Sequence, residues 1–251
     1  MRNPDWETIK LNDGERIDDL ERCGYKIIQN PEKFCFGIDA VLLSGFANVR
    51  KGEKVLDLCS GNGIIPILLC GKTEGASFEG IEIQEESVDL ARRSILANGI
   101  EDKVNVRTGD IKNILDYYDS SSMNVVTCNP PYMIDCHGIK NPDSPKAIAR
   151  HEIMCDFEDV VKAASRVLKH GGRLYLIHRP FRLVELFETL TKYKLEPKRM
   201  RFVHPFADHE PNMVLIEASL GGKRRITIEK PLVVYEKENV YTQEIYDIYG
   251  Y

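Results

Sequence analysis

Short apolar runs alternate with longer amphipathic stretches along most of the chain after residue 53. Short runs rich in Val, Ile and Leu, bounded by polar residues, are typical of buried strands. Five such runs are predicted to be strands, at residues 54–58, 78–83, 104–110, 124–128 and 173–178.

The stretches between these runs predict helices, because their apolar residues recur at helical spacing, as at Val88, Ala91 and Ile95. The stretch that follows residue 155 is predicted to begin at Asp156, which can cap the first turn, and to end at Gly171. Strands that alternate with helices pair in parallel through right-handed crossovers. The pattern therefore predicts an α/β fold with a doubly wound sheet.

The end of the chain has a different pattern. Residues 201–206 and 212–220 are predicted to be two strands with no long helix between them, which favours an antiparallel β-hairpin. The hairpin would complete a mostly parallel, seven-stranded sheet. We expect one domain, made of an N-terminal extension that covers the ligand site, a core and a C-terminal tail, at residues 1–50, 51–220 and 221–251.

Composition narrows the class of protein. The 251 residues are 43% hydrophobic and 29% charged, as in an ordinary globular domain. No apolar run approaches the ~20 residues that span a bilayer, and the N-terminus lacks the apolar segment of an export signal. The seven cysteines form no CxxC pair, and the six histidines have no zinc-ligand spacing. We therefore expect a reduced, cytoplasmic protein that binds neither a metal nor a membrane. The sequence leaves the oligomeric state open.

The net charge of −5 argues against indiscriminate binding to nucleic acid. The charge is uneven, however, because residues 192–201 and 221–225 are strongly basic. Such runs are either solvated faces or sites that meet phosphate groups, and charge alone leaves both interpretations open.

Polar residues collect where three of the predicted strands end, and in such a sheet ligands bind at the carboxyl ends of the strands. Asp57 is followed by Gly61 and Gly63, which permit a tight turn and a close approach of the backbone to a ligand. Glu82 ends the second strand about 20 residues later, where a carboxylate can hold a ribose diol. Asp110 stands at the end of the third strand, after Gly109. Three such carboxylates suit a ligand with a cation, a diol and an exocyclic amine, and S-adenosylmethionine has all three.

The ordered series VLDLCSGNG, GIEIQ, TGD and NPPY resembles the motif set of class I S-adenosylmethionine-dependent methyltransferases, which have a Rossmann-like fold. The resemblance implies that Asp57 and the Gly61 region hold the methionine portion of the cofactor. It also implies that Glu82 holds the ribose hydroxyls and Asp110 the adenine amino group. One departure is Cys59, because the family usually has a glycine there and a cysteine must avoid the backbone strain that glycine would absorb. The implied cofactor-binding residues are Phe36, Gly37, Asp39, Asp57, Cys59, Gly61, Gly63, Glu82, Ile83, Asp110, Ile111 and Asn129.

NPPY follows the fourth predicted strand and resembles the motif of the branch that methylates planar amino nitrogens. The side-chain oxygen of Asn129 and the carbonyl of Pro130 can accept the two N–H bonds of a delocalised amine, and Pro131 helps to fix their direction. Tyr132 offers a face on which the planar group can stack. Asn-Pro and Pro-Pro are also ordinary turn punctuation, so a plain corner after the strand is the alternative. Because the cofactor motifs accompany them, we expect these four residues to be catalytic.

The segment QNPEKFCFGIDAVLLSGFA, residues 29–47, resembles the entry segment of bacterial tRNA adenine-N6 methyltransferases that modify a valine tRNA beside the anticodon. The stretches ARHE and HPFADHEPNMVLIEASLGGKRR fit the same group. Methyltransferases of release-factor glutamine share NPPY but carry a helical N-terminal domain, and here 53 residues precede Lys54. DNA adenine methyltransferases usually carry a separate target-recognition domain, for which we expect no room. We therefore expect a tRNA substrate, with a protein glutamine as the alternative.

Basic residues in the irregular stretch after NPPY and in the two basic runs are candidate RNA contacts. With one histidine they are Lys140, Lys146, Arg150, His151, Arg199, Arg201, Lys223, Arg224 and Arg225. Arg150 and His151 have an alternative interpretation as helix-surface residues.

The sequence is also compatible with two functions of other classes. A nicotinamide-dependent oxidoreductase would use a similar sheet, but the sequence lacks the G-x-G-x-x-G fingerprint of that class. A cofactor-binding or RNA-binding protein that has lost catalysis would keep the strand-end carboxylates, and the intact Asn129, Pro130 and Tyr132 argue against it.

Overall fold

A central sheet runs through the part of the chain that the computed structural model describes, residues 6–32, 35–130 and 155–250. An antiparallel hairpin precedes it, formed by β1 (Arg16–Asp19) and β2 (Lys26–Gln29). The seven long strands of the sheet are β3 (Lys54–Leu58), β4 (Ser77–Glu82), β5 (Val104–Thr108), β6 (Met123–Cys128), β7 (Leu168–His178), β8 (Leu195–His204) and β9 (Met213–Leu220). Two short strands pair with β8, and they are β10 (Thr227–Ile228) and β11 (Leu232–Val233).

The order of the long strands is β5, β4, β3, β6, β7, β9, β8. The five strands from β5 to β7 are parallel, and β9 is antiparallel to both of its neighbours. The prediction of a doubly wound, mostly parallel sheet that ends in an antiparallel hairpin is therefore confirmed. The short strands β10 and β11 extend the predicted seven strands to nine.

Helices cover both faces of the sheet. In the described residues they are α1 (Ile38–Phe46), α2 (Ile64–Lys72), α3 (Glu85–Ala97), α4 (Phe157–Val167), α5 (Leu183–Lys192) and α6 (Gln243–Tyr249). The same described ranges contain two 3₁₀ turns, at Ile111–Asp116 and Pro180–Arg182. A small hairpin of β12 (Tyr235–Lys237) and β13 (Val240–Tyr241) precedes α6. None of the helices in these ranges is long and apolar enough to cross a membrane.

The continuous apolar runs of the central strands follow from burial on both faces of the sheet. Val55 belongs to one core with residues of α1, α2 and α3, whereas the next residue, Leu56, belongs to the other core with residues of α4 and α5. Val125 and Val126 of β6 divide in the same way. Neighbouring residues on these strands point to opposite faces, so neither face is left for polar side chains.

The start of α4 is as predicted, and its end is not. The carboxylate of Asp156 accepts a hydrogen bond from the backbone N–H of Asp159 at 2.8 Å, which caps the helix. The prediction that Gly171 ends the helix is wrong, because the helix stops at Val167 and β7 begins at Leu168. Leu168 pairs with Met123 of β6, and the register then shifts before the ladder resumes. Gly171, with a φ of 75°, lies in the irregularity that this shift creates.

The basic run at residues 192–201 forms most of strand β8, which begins at Leu195 rather than at the predicted residue 201. The Arg199 guanidinium lies 3.9 Å from the ring centroid of Phe46, which ends α1. It also forms ion pairs with Glu217 of β9 at 2.8 Å and with Glu229 of the tail at 2.9 Å. This arginine therefore ties α1, the sheet and the tail together.

The tail also packs on α1 through its last helix. Ile245 is fully buried, and a Cβ atom placed on Gly45 of α1 would lie only 2.7 Å from Cγ2 of Ile248. Arg201 of β8 pairs with Glu244 at 2.7 Å. These contacts make the tail a structural part of the domain.

Replacement of Arg199 by alanine is expected to lower the free energy of unfolding by on the order of 2 kcal/mol, because two partly buried carboxylates lose their partner. The matched control is Arg225→Ala, since Arg225 is exposed and surface substitutions usually change stability by less than about 0.5 kcal/mol. Urea denaturation measures both. Equal losses in the two variants would show that Arg199 has no structural role.

Candidate functional site

The register of the parallel strands brings the predicted site residues to one edge of the sheet. Leu58 of β3 pairs with Cys128 of β6 and with Ile81 of β4. The next residue of each strand, Cys59, Asn129 or Glu82, therefore stands at the same level. Neighbouring strands lie about 4.8 Å apart, so Asn129 and Glu82 flank the loop after β3 from its two sides. The site occupies the carboxyl edge of β6, β3, β4 and β5.

The loop after β3 is wound in the left-handed region of backbone space. Cys59, Gly61 and Gly63 have φ angles of 55°, 54° and 78°. The expectation that Cys59 avoids this conformation is wrong, because the loop places it where the family's glycine would stand. A non-glycine residue in that region carries about 1–3 kcal/mol of strain. The N–H of Gly63 donates to the carbonyl of Ser60 at 2.9 Å, which closes the turn.

Glu82 braces this loop from the tip of β4. Its Oε2 accepts the N–H of Gly61 at 2.9 Å, and its Oε1 accepts the N–H of Gln84 at 3.0 Å. The side chain is buried. An ionised carboxylate has about four acceptor positions, so these two bonds leave capacity for hydroxyl groups of a ligand.

Asp57 is the most deeply buried charge-bearing group at this edge, with 1% of its surface exposed. Its Oδ1 accepts the hydroxyl of Thr127 at 2.6 Å. Its Oδ2 has no hydrogen-bond partner among the described residues. Burial raises the pKa of Asp57 from 3.8 to about 7, and the hydroxyl groups of Thr127 and Ser60 oppose part of this rise. A buried carboxylate with an unused oxygen is suited to receive a cation.

The loop also has room for a ligand. A Cβ atom placed on Gly61 would meet nothing within 4 Å. Oδ1 of Asn62, the next residue, is buried without a hydrogen-bond partner in the described ranges. Open space at a left-handed glycine, beside orphaned acceptors, fits the close approach of a ligand that carries a cationic amine. These residues therefore fit S-adenosylmethionine, the cofactor that the motif series predicts.

The N-terminal segment is attached to this loop. Nδ2 of Asn62 lies 3.5 Å from the carbonyl oxygen of Ile28 in β2, and Oε1 of Gln29 accepts the N–H of Phe36 at 2.9 Å. A Cβ atom on Gly37 would lie 2.9 Å from the carboxylate of Asp39, at the start of α1. Phe36, Gly37 and Asp39 are thus held beside the loop, and their contact with a cofactor stays a prediction.

The third strand end supplies the other side of the site. Gly109 donates its N–H to the carbonyl of Glu82 at 2.9 Å, which fixes the chain beside β4. The Oδ1 of Asp110 accepts the N–H of Lys112 at 2.9 Å and so begins the 3₁₀ turn. Ile83 is half-buried and Ile111 is buried. Two apolar side chains beside a carboxylate suit a planar, amine-bearing ring.

The structure describes two of the four predicted catalytic residues, Asn129 and Pro130. Asn129 is half-buried at the end of β6, and Pro130 is buried. The remaining predicted residues after this point lie outside the described residues, and they are Pro131, Tyr132, Lys140, Lys146, Arg150 and His151.

The Cys59 thiol lies with Cys128 and Cys155 in one core cluster. A hydrogen bond with the Cys128 thiol raises the pKa of Cys59 well above its usual range. The thiol therefore stays neutral and supplies no anionic nucleophile. The described ranges also contain no group of three or more side chains that could hold a metal ion.

Part of the predicted basic footprint that the structure describes lies away from this edge. Lys223, Arg224 and Arg225 are exposed in the turn after β9. Because β9 is antiparallel to β7, its end lies at the opposite edge of the sheet from Asn129. Arg199 and Arg201 are engaged in the ion pairs of the tail. RNA contact by these five residues stays a prediction. The structure places Lys223, Arg224 and Arg225 away from the site, whereas Arg201 stands level with Asn129 three strands away.

Thr127 was not predicted from the sequence as a site residue, although it is fully buried and donates a hydrogen bond from its hydroxyl group to the Asp57 carboxylate. Its signal was a hydroxyl within the otherwise apolar run VVTC, two residues before Asn129. That run predicts a strand equally well with valine in this position, so the partner emerges only from the pairing of Asp57 with Thr127.

Comparisons with known proteins agree with this geometry. A family model described as a methyltransferase domain matches residues 49–217. A curated protein of Phocaeicola vulgatus, named tRNA1(Val) (adenine(37)-N6)-methyltransferase, is 26% identical over 231 residues, which are 90% of this chain and 92% of that protein.

Solved structures share the fold. A predicted O-methyltransferase of Agrobacterium tumefaciens has a TM-score of 0.68 at 20% identity and covers 84% of this chain and 95% of its own. A geranyl diphosphate C-methyltransferase of Streptomyces coelicolor, solved with S-adenosyl-L-homocysteine, has a TM-score of 0.54 at 16% identity and covers 72% of this chain and 74% of its own.

The raised pKa of Asp57 predicts a pH-dependent loss of stability. In the unfolded chain this carboxyl ionises near 3.8, whereas the folded protein keeps the proton up to about 7. The folded state therefore binds more protons between these values, so the group stabilises the fold below the unfolded pKa and loses this effect as the pH rises through 7. We expect the free energy of unfolding of Asp57→Asn, relative to the parent, to rise by a few kcal/mol between about pH 4.5 and about pH 8. Urea denaturation across this range measures the difference, and a difference that does not change with pH would contradict the assignment.

Proposed function

Because the chain belongs to the methyltransferase-domain family, we propose that it transfers a methyl group from S-adenosylmethionine to the N6 amino group of an adenine in tRNA. The name of the Phocaeicola vulgatus relative supports this substrate, since the alignment spans 90% of this chain. That name also supports adenine 37, beside the anticodon of a valine tRNA, as the position. The observation that carries the proposal is the alignment of Asn129, the glycine loop and Glu82 at one edge of the sheet.

The cofactor residues divide the ligand between them. Asp57 would face the ammonium group of the methionine portion, and the open backbone at Gly61 would accommodate its chain. Glu82 would accept hydrogen bonds from the ribose hydroxyls, and Asp110 would accept one from the adenine amino group, beside Ile83 and Ile111. When bound, the cofactor supplies an electrophilic methyl group on a sulfonium.

Asn129 and Pro130 position the target nitrogen. An exocyclic adenine amine is a poor nucleophile, because its lone pair is delocalised into the ring. The side-chain oxygen of Asn129 accepts one N–H and the carbonyl of Pro130 accepts the other, which favours a pyramidal nitrogen. Tyr132 would stack on the base, as the resemblance to the NPPY motif implies. Catalysis is then mainly alignment for in-line attack, together with stabilisation of the positive charge that forms on nitrogen.

No strong general base is required, since a methylated ammonium on an aromatic ring is acidic and loses its proton readily. His178 ends β7 beside β6, but it is buried, and burial lowers its pKa to about 4. It is therefore neutral at pH 7 and adds no positive charge that would repel the sulfonium.

Asn129→Ala is expected to lower turnover by at least ~100-fold, the effect of one lost preorganised contact, while the affinity for S-adenosylmethionine stays nearly unchanged. The matched control is Asn124→Ala, because Asn124 lies at the start of the same strand and accepts the N–H of Lys54. Single-turnover kinetics and calorimetry separate the two quantities. Near-normal methyl transfer by the Asn129 variant would mean that the NPPY motif is only a turn.

Glu82→Gln is expected to weaken the binding of S-adenosylmethionine by about 10-fold, since the ribose hydroxyls lose a charged acceptor. A glutamine oxygen can accept the N–H of Gly61 or that of Gln84 but not both, so urea denaturation of the same variant separates a loss of stability from a loss of affinity. Glu79→Gln on the same strand is the control, because Glu79 pairs with Arg107. Equal calorimetric affinities for the parent and Glu82→Gln would remove Glu82 from the cofactor site.

The direct test of the function is labelled methyl transfer to total unmodified tRNA, followed by nucleoside analysis. We expect N6-methyladenosine in tRNA. A glutamine-bearing release factor is offered to the same preparation in parallel. Incorporation into that protein and not into tRNA would contradict the RNA substrate.

A further inference from the structure

The chain leaves strand β7 directly beside the catalytic strand end. Leu176 of β7 pairs with Cys128 of β6, so His178 stands level with Pro130. The 3₁₀ turn that follows carries Phe181. Strands lie about 4.8 Å apart and rise about 3.3 Å per residue, so the backbone of Phe181 lies within roughly 15 Å of that of Asn129. The turn therefore belongs to the rim of the site.

Phe181 and Val184 project from this rim into solvent. They are 72% and 73% exposed, more than any other large apolar side chain in the described ranges. The apolar stripe of α5 points the other way, because Leu186 and Leu190 are fully buried. The side chains of Phe181 and Val184 therefore do not pack in the hydrophobic core.

Two arginines flank Phe181 in the sequence, Arg179 and Arg182. The guanidinium of Arg179 donates to the carbonyl of Asn212 at 2.9 Å. That of Arg182 is largely buried and forms an ion pair with the carboxylate of Glu185. Arg179 is therefore the candidate of the two for a contact with phosphate.

The area of the exposed apolar patch formed by Phe181 and Val184 favours a nucleobase over a second copy of the chain as its binding partner. A stable contact with a second copy of the chain needs about 800 Å² on each partner, whereas two side chains present far less. One exposed ring matches one base, and aromatic rings beside cationic groups are the usual platform for unpaired nucleotides.

We propose that Phe181 is a stacking platform for an unpaired nucleobase that adjoins the target adenine in the RNA, with Arg179 close to the neighbouring phosphates. The inference rests on the proposed tRNA substrate and adds a contact that sets its position. Stacking beside the target holds the flanking nucleotide while the adenine enters the site at Asn129.

The test compares Phe181→Ala, Phe181→Leu and Phe181→Tyr with the control Leu96→Ala. Leu96 is 56% exposed near the end of α3, at the opposite edge of the sheet. We expect the alanine and leucine variants to lose about 10-fold to 100-fold in kcat/KM for tRNA, the effect of one lost base–aromatic stack. The loss should lie mainly in KM. Phe181→Tyr and Leu96→Ala should resemble the parent, and calorimetry should give one affinity for S-adenosylmethionine throughout.

Several results would overturn the proposal. If the parent methylates tRNA and Phe181→Ala does so equally well, stacking at Phe181 fails while the proposed function stands. A parent that does not methylate tRNA contradicts the proposed function itself. Full activity of Phe181→Leu would show that apolar contact suffices without a ring. A change of mass in light scattering for Phe181→Ala would instead make the patch an interface between copies of the chain.

Discussion

A carboxylate buried at the carboxyl edge of a parallel sheet is the constraint on which the site depends. Asp57 is almost completely buried, and the Thr127 hydroxyl satisfies only one of its oxygens. Burial of this charge is unfavourable, and it raises the pKa of Asp57 to about 7. In the proposed function this acceptor is held ready for the cation of the cofactor, as in other preorganised binding sites.

The loop after β3 shows how the same residues serve the fold and the ligand. Its left-handed residues leave backbone N–H groups in need of partners, and Glu82 accepts one of them from Gly61. The carboxylate proposed to hold the ribose is thus also the brace that fixes the loop's shape. Asn62 connects the loop to β2, so the N-terminal segment and the sheet are positioned together. Changes to these residues are expected to combine effects on binding with effects on stability.

The fold was readable from the sequence because burial on both faces leaves continuous apolar runs such as VVTC and KVLDL. The strand-end carboxylates were readable because glycines and acids follow those runs directly. Contacts between distant residues were not readable. Asp57 and Thr127 are separated by 70 positions in the sequence. The ion pair between Arg199 and Glu229 also depends on the path of the chain after β9, which the pattern of apolar residues does not predict. A run of basic residues therefore resembled a surface for RNA, although Arg199 within it binds carboxylates of its own chain.

The most direct test of this arrangement is the number of protons released when S-adenosylmethionine binds near pH 7. Calorimetric titration in two buffers with different ionisation enthalpies measures that number. With a pKa of about 7, Asp57 is partly protonated before binding, and a cation beside it should drive the proton off. We predict release of a fraction of a proton by the parent and a smaller release by Asp57→Asn. The same release from both proteins would contradict the role of Asp57.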